Sequence, residues 1–329
     1  MLRRFCLAAL FALGTASCSS DAGVDPAVPP PGHDGGVDSP TVDVQEAAIE
    51  AEAAPHVAAL SFATFNTHQL FDTTCDSGNC APGDFELVLT QEQFDARIDQ
   101  VATAIRGLHA TAVSVQEIET VASMEALTAR LSDLYPTAIM AETGAPGSLD
   151  VAVFGAGTLL EIRKHRGVPI TRPDGTSTSF SREFLEVHMD LAGLRIVVFS
   201  AHFRSKNNDD PGRRQAEARA ARDIVIMTAQ ELPEAVVLLG GDLNDTPGSP
   251  PLLDIESAAS MLRAAKDRPI DQVSTYSWNG ELQAIDHIFL ETTSRGVYVP
   301  GSARAVRDGP GQGLGGSDHA ALQADFDLR

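Results

Sequence analysis

Apolar and polar residues alternate along AALSFATFN (58–66), the two-residue period of a strand with one buried face. In FDARIDQVATAIRGL the apolar positions 94, 98, 101, 105 and 108 follow the helical period instead. ATAVSVQEIE (110–119) returns to a strand that runs into a loop, and VASMEALTARLSDL (121–134) to a helix. DVAVFG (150–155), REFLEVHMDL (182–191) and LRIVVFSAHF (194–203) read as strands. The last two are expected to be neighbours, joined by a tight turn at Ala192–Gly193. A long helix is expected over 211–232, capped by Asp209 or Asp210 and opened by Pro211. EAVVLLGGD (234–242) is a buried strand, and AIDHIFLE (284–291) and HAALQADFDL (319–328) complete the set. Many strands and few helices, mixed along the chain without an internal repeat, predict one α/β domain over 56–329. Its sheets pack together and its helices lie outside.

The first 55 residues break this pattern. In MLRRFCLAALFALGTASC, Arg3 and Arg4 precede an apolar run that is too short to span a bilayer, and small residues follow. This is the pattern of a secretory signal, over 1–18. TASC resembles a bacterial lipoprotein processing site, which would make Cys18 the lipidated residue. Thr15 departs from the leucine usual there, and ordinary cleavage nearby is the alternative. Residues 19–55 are rich in Pro, Gly, Ala, Ser and Asp, with eight acids and no base. Such a segment buries too little apolar surface to offset the entropy of ordering, so it reads as a flexible tether. The expectation is an exported protein: an outer-membrane-anchored lipoprotein at the periplasmic or cell surface, or a secreted one. Its membrane contact would be the lipid anchor alone.

Charge narrows the partners. The chain carries −21, and since residues 1–55 hold two arginines and eight acids, the body keeps −15 of it. A body this acidic has no general attraction for polyanions, which argues against tight nucleic-acid binding. Of four cysteines, Cys6 leaves with the signal and Cys18 is the lipidation candidate. Cys75 and Cys80, in CDSGNC, are expected to form a disulfide in an oxidising compartment. A metal site there is the weaker reading, because two thiols five apart have no histidine nearby.

Residues able to do chemistry recur where the apolar runs end. Asn66 ends the first strand and Glu117 the next; His202 ends the strand at SAHF. Asp242 and Asn244 follow the buried strand, Asp286 sits in IDHIF, and GGSDH supplies Asp318 and His319. Each has a bland explanation by itself: a turn residue, a solvated acid, a satisfied histidine. Asp286 is the exception, since a carboxylate among apolar neighbours is costly unless paired. Together they fall at the strand ends where rigid scaffolds assemble sites.

FNTHQLFDT, QEIE, SRE, SAHF, GGDLND, IDHIF and SDH, in this order, resemble the endonuclease/exonuclease/phosphatase superfamily, the deoxyribonuclease-I-like group, in its secreted bacterial nuclease-like branch. The resemblance covers about 60–326. It implies a four-layer αββα sandwich, two mixed sheets face to face with helices outside each. It implies hydrolysis of a phosphate ester by activated water, with Mg²⁺, or Mn²⁺ or Ca²⁺, held by Asn66, Glu117 and Asp318. His319 would lie beside the phosphate with Asp286 orienting its ring, and Asp242 competes with it as the base. Asn244 would hold Asp242 or the phosphate. His202 and Arg182 would donate to phosphate oxygens, the planar fork of Arg182 suiting that geometry. Gly240 and Gly241 would let their strand approach the phosphate closely. Asp245 reads as a supporting or turn residue, Arg204 and Lys206 as substrate-steering or merely solvated, and His68 receives no role.

The substrate stays open. A nuclease acting weakly and non-specifically on DNA or RNA as a monomer leads. A phospholipid or small-phosphoester hydrolase is the alternative, with Tyr276 and Trp278 as its sole aromatic membrane candidates. A non-catalytic envelope binding protein ranks last.

Overall fold

The computed structural model describes residues 59–329; the signal over 1–18, Cys18 and the tether over 19–55 lie outside the described residues. In chain order the elements are β1 Leu60–Leu70, α1 Gln91–Leu108, β2 Ala112–Ile118, α2 Val121–Leu131, β3 Thr137–Ala141, β4 Asp150–Gly155, β5 Thr158–Lys164, β6 Ile170–Thr171, β7 Ser177–Thr178, β8 Leu185–Leu191 and β9 Leu194–His202. There follow α3 Pro211–Glu231, β10 Val236–Asp242, α4 Pro250–Glu256, β11 Met261–Arg263, α5 Ile270–Val273, β12 Tyr276–Trp278, β13 Glu281–Gln283, β14 Asp286–Glu291, β15 Gly296–Tyr298, β16 Arg304–Val306 and β17 Ala321–Leu328.

One large sheet runs β15-β17-β1-β2-β4-β3, with β16 also on β17; the other runs β11-β14-β10-β9-β8-β5. Both are mixed: β1 and β2 are parallel, as are β9 and β10, and the remaining neighbours are antiparallel. Alternation along β1 divides its side chains between two cores. Phe62 joins Val153, Val198, Leu238 and Ile288 between the sheets. Ala63 and Phe65 face outward, where Phe94, Ile98 and Ile105 of α1 cover them. On the far side Ala218, Ala221 and Val225 of α3 cover Val197, Phe199 and Leu239 of the second sheet. The result is a four-layer αββα sandwich. Each large buried side chain contributes about 1.5–3 kcal/mol, and the central core and the two outer ones are of similar size.

Local signals explain the ends of elements. Thr90 and Gln93 form a reciprocal capping box at α1. Asp210 caps α3 by accepting from the Arg213 amide, with Pro211 in the first turn. Ala192 and Gly193 have φ of 53° and 88°, both left-handed, as a two-residue turn between twisted antiparallel strands requires. Among the described residues no helix is long and apolar enough to cross a membrane.

The inter-sheet layer carries one polar strip. The Ser114 and Ser200 hydroxyls meet at 2.7 Å across the seam. Ser114 Oγ also donates to Gly240 O at 3.1 Å and accepts from Gln116 Nε2 at 2.7 Å. Each group finds its partner inside the strip, so burial leaves none stranded.

Boundaries differ from the sequence reading where side chains do not announce them. The helix expected over 121–134 stops at Leu131, and β8 starts at Leu185, which leaves Arg182 in the loop before it. The strand begun at 58–66 continues to Leu70 through a register shift beyond Asn66.

Candidate active site

Strand register delivers the side chains. Antiparallel pairing sets Asp242 of β10 opposite Asp286 of β14, and parallel pairing sets it beside His202 of β9. On the other sheet β1 brings Asn66 beside Gln116 of β2. The next residue, Glu117, has φ 69° where the β2–β4 register shifts. A left-handed glutamate in a bulge is strained, and such bulges re-aim side chains. Here it is turned into a cleft of about 950 Å³ that also takes in Arg182, His202, Asp242, Asn244, Asp318 and His319. The cleft straddles the ends of both sheets.

Asn66 and Asp286 stand behind the cleft wall and hold what lines it. Asn66 Nδ2 donates to Glu117 Oε1 and to Asp242 Oδ2, both at 3.0 Å, bridging the two sheets. Its Oδ1 accepts the His68 amide at 2.9 Å, and the Gln69 amide donates to Glu117 Oε2 at 2.8 Å. Asp242 Oδ1 accepts the Asn244 amide at 2.8 Å. His319 Nδ1 meets Asp286 Oδ2 at 2.8 Å, while Asp286 Oδ1 is buried without a partner. His202 Nε2 lies 3.7 Å from Asp242 Oδ2 and 3.9 Å from Glu117 Oε1. The Arg182 guanidinium rests on the Leu149 and Phe203 carbonyls.

Charge at the site is set by burial and neighbours. Burial, with the Asp286 charge behind it, pushes the Asp242 carboxyl up to about 7. Burial alone would lower His319, but the charge and hydrogen bond of Asp286, with Asp242 and Asp318 nearby, raise it to about 10. Burial and the Arg182 charge hold His202 well below the usual histidine range, so it is neutral. The cleft thus presents a protonated imidazole, a neutral one and a carboxylate poised near neutrality. Glu117, Asp242 and Asp318 line the cleft with carboxylates, the ligand type a hard cation takes, and one ligand atom each from Asp242, Asp286 and His319 lies within 4.8 Å of the others.

All the residues expected at the site therefore converge: Arg182, His202, Asp242, Asn244 and His319 line one space with Glu117 and Asp318, and Asn66 and Asp286 back it. Two expectations change. A Cβ on Gly240 would lie 2.6 Å from Phe62 Cζ, and one on Gly241 2.2 Å from Ala201 O. The glycines let β10 pack against the facing sheet and against β9; they do not serve an approach to phosphate. His68, left without a role, pairs its Nδ1 with Asp318 Oδ1 at 3.0 Å. Nothing local in the sequence announces that contact, because 250 residues separate the partners. Asp245 binds Arg214 Nε at 2.9 Å and Lys206 Nζ at 3.1 Å, and so anchors the loop after β9. Trp278 and Phe85, 57% and 56% exposed, stand on the rim. Cys75 and Cys80 form a disulfide.

The model of the Endonuclease/Exonuclease/phosphatase family matches residues 63–319. No curated protein sequence matches the chain at a significant level. Among solved structures, the fold is similar to an endonuclease/exonuclease/phosphatase from Bacteroides vulgatus, with 18% identity over 82% of this chain and 99% of that one and a TM-score of 0.57. The human Nocturnin catalytic domain with bound sulfate anion gives 15% identity, 82% and 94% coverage and a TM-score of 0.57. D. rerio TDP2 complexed with single strand DNA product gives 15%, 82% and 99%, and 0.54.

Proposed function

The chain belongs to the endonuclease/exonuclease/phosphatase family, and from that premise we propose that it is a divalent-metal-dependent phosphodiesterase cleaving nucleic acid outside the cytoplasm. The observation that carries this reading is the single cleft into which both sheets deliver Glu117, Asp242, His202 and the Asp286-held His319. Glu117 and Asp318, with Asn66 behind them, would hold Mg²⁺ or a similar hard cation, which when bound offsets charge on the phosphate oxygens.

The chain's own groups divide the remaining work. Asp242, raised toward neutrality, takes the proton of the attacking water as its oxygen bonds to phosphorus. Asn66 and the Asn244 amide keep that carboxylate aimed. The ester P–O bond opposite breaks, and the leaving oxygen takes a proton from solvent. His319, protonated through Asp286, and Arg182 donate hydrogen bonds to the phosphate oxygens as charge builds there. His202, neutral, adds a donor without a further positive charge. Two titratable groups pushed to different values by their surroundings make such an assignment of roles.

Nucleic acid is favoured by the open cleft, by the exposed rings of Phe85 and Trp278 on which bases can stack, and by Arg204 and Lys206 on the same rim. The single strand DNA product bound to D. rerio TDP2 accords with this. The acidic body predicts weak, salt-sensitive binding. The signal and tether pattern of residues 1–55 supports export. The test is hydrolysis of plasmid DNA, RNA, bis-nitrophenyl phosphate and sphingomyelin by the purified protein with Mg²⁺, Mn²⁺, Ca²⁺ or EDTA. DNA or RNA cleavage that EDTA, Glu117→Ala and His319→Ala abolish is expected. Activity indifferent to all three overturns the mechanism, and turnover of sphingomyelin alone replaces the substrate.

A further inference from the structure

A second group of acids lies beyond the cleft wall, where the loop after β1 crosses the junction of β2 and α2. One carboxylate oxygen each from Asp72, Asp76 and Glu119 lies within 4.8 Å of the others. Glu86 flanks them, with its carboxylate within hydrogen-bonding reach of that of Glu119. Among the described residues no lysine, arginine or histidine pairs with any of the four. Three of them, Asp72, Glu86 and Glu119, are buried, and Glu119 is only 2% exposed.

Backbone donors already serve part of the cluster. Glu119 Oε2 accepts the Asp72 amide at 2.9 Å, Asp72 accepts the Thr74 amide and the Thr120 hydroxyl, and Glu86 accepts the Asp76 and Ser77 amides. Glu119 Oε1 is the exception: it is buried with no hydrogen-bond donor, and the charges that act on the group are all acids, Asp72, Glu86 and Asp76. A buried acceptor surrounded by acids is costly unless a proton or a cation reaches it.

The geometry points to a second cation site, separate from the catalytic one, in which Asp72, Asp76 and Glu119 bind Ca²⁺. Ca²⁺ takes about six to eight oxygen ligands at about 2.3–2.6 Å in flexible geometry, which an irregular set of carboxylates and waters can supply, whereas Mg²⁺ demands near-ideal octahedral geometry at about 2.0–2.1 Å. Asp76 is exposed and leaves room for water ligands, as a Ca²⁺ site of mixed composition has. The Cys75–Cys80 disulfide closes the loop that carries Asp76, which limits the ordering that binding must supply. The ion ties that loop to residues two positions beyond Glu117. Through Phe85 on the same loop it steadies one rim of the cleft.

Calorimetric titration of the full chain with Ca²⁺, in excess Mg²⁺, tests this together with thermal melting. Wild type is expected to bind one more Ca²⁺ than Asp76→Asn and to melt higher when Ca²⁺ is added. Asp76→Asn removes an exposed acid and so spares the fold. It and Asp72→Asn should weaken that binding at least about tenfold, because affinity follows the charge of the ligand set, and should erase the melting shift. Glu117→Ala should retain both. Wild-type stoichiometry and affinity in Asp76→Asn, or loss of all Ca²⁺ binding in Glu117→Ala alone, overturns the site.

Discussion

His319 against Asp286 at 2.8 Å and His188 against Glu186 at 2.6 Å are the same chemical pair set in two places. The first backs onto the cleft, with Tyr276 packed on the imidazole and one Asp286 oxygen unpartnered. The second is closed. Glu186 and His188 are fully buried on β8, and every Glu186 oxygen is taken: His188, Thr228 of α3 and Arg163 of β5 meet Oε1, and His165 meets Oε2. Buried histidine and carboxylate together therefore do not make a site. What separates the two is access: the first faces the cleft, whereas the second, although its His188 Nδ1 also lacks a hydrogen-bond partner, spends both Glu186 oxygens on joining β5, β8 and α3.

The sharpest way to break this contrast is to truncate each histidine. His319→Ala should lower kcat/KM about a thousandfold, the usual scale for loss of a group that acts on protons or charge at the reacting centre, and should also lower the melting temperature, because it strips the partner from buried Asp286. His188→Ala should leave the rate alone and cost about 3–5 kcal/mol of stability, since it strips a partner from a buried carboxylate. Equal effects of the two on rate would erase the distinction.

Titration gives the clusters opposite signs. Burial opposes ionisation of Glu186, but His165 and His188 hold it down at about 2, below its ordinary 4.5. Its contribution is thus present above about pH 4.5 and is lost as pH falls toward 2. His319 is raised from 6.5 to about 10, so its contribution is complete below pH 6.5 and fades as pH climbs to about 10. Denaturant melts of the metal-free protein across pH should show both losses, with His188→Ala flattening the acid one and His319→Ala the alkaline one. The same values give a bell in kcat/KM, rising through about 7 as Asp242 loses its proton and falling near 10. A smaller effect tests the frame beneath both clusters. Gly240→Ala drives a methyl against Phe62 and should cost about 1–3 kcal/mol in overpacking.

The same contrast shows what the sequence could carry. LRIVVFSAHF and EAVVLLGGD are long apolar runs, and burial on both faces makes such strands legible along with the polar residues that end them. The four-layer sandwich and the convergence of Glu117, Asp242 and His319, by contrast, were implied by the resemblance of the ordered motifs to the endonuclease/exonuclease/phosphatase superfamily. β5 is a mostly exposed edge strand, and β12–β13 is a hairpin with only three residues in each strand, so neither offers a long apolar run, and the Asn279–Gly280 turn is the hairpin's one local signal. The bulge at Glu117 was hidden for another reason: glutamate has no preference for left-handed backbone, and tertiary packing imposes it. His188, in REFLEVHMDL, carries the same local pattern as a functional histidine, and only its closed surroundings tell it apart.

The hydroxyl strip between the sheets has a consequence of its own. Glu117 rides on one sheet and Asp242 on the other, so their spacing is an offset between two slabs that greasy faces alone would allow to glide. Ser114, locked to Ser200 and to the Gly240 carbonyl, works as a dowel through both slabs a short way below the reacting groups. Buried polar contacts of this kind fix alignment more than they add cohesion. The outer helices are then free to drift in tilt or bulk while the jaws of the molecule stay in gauge.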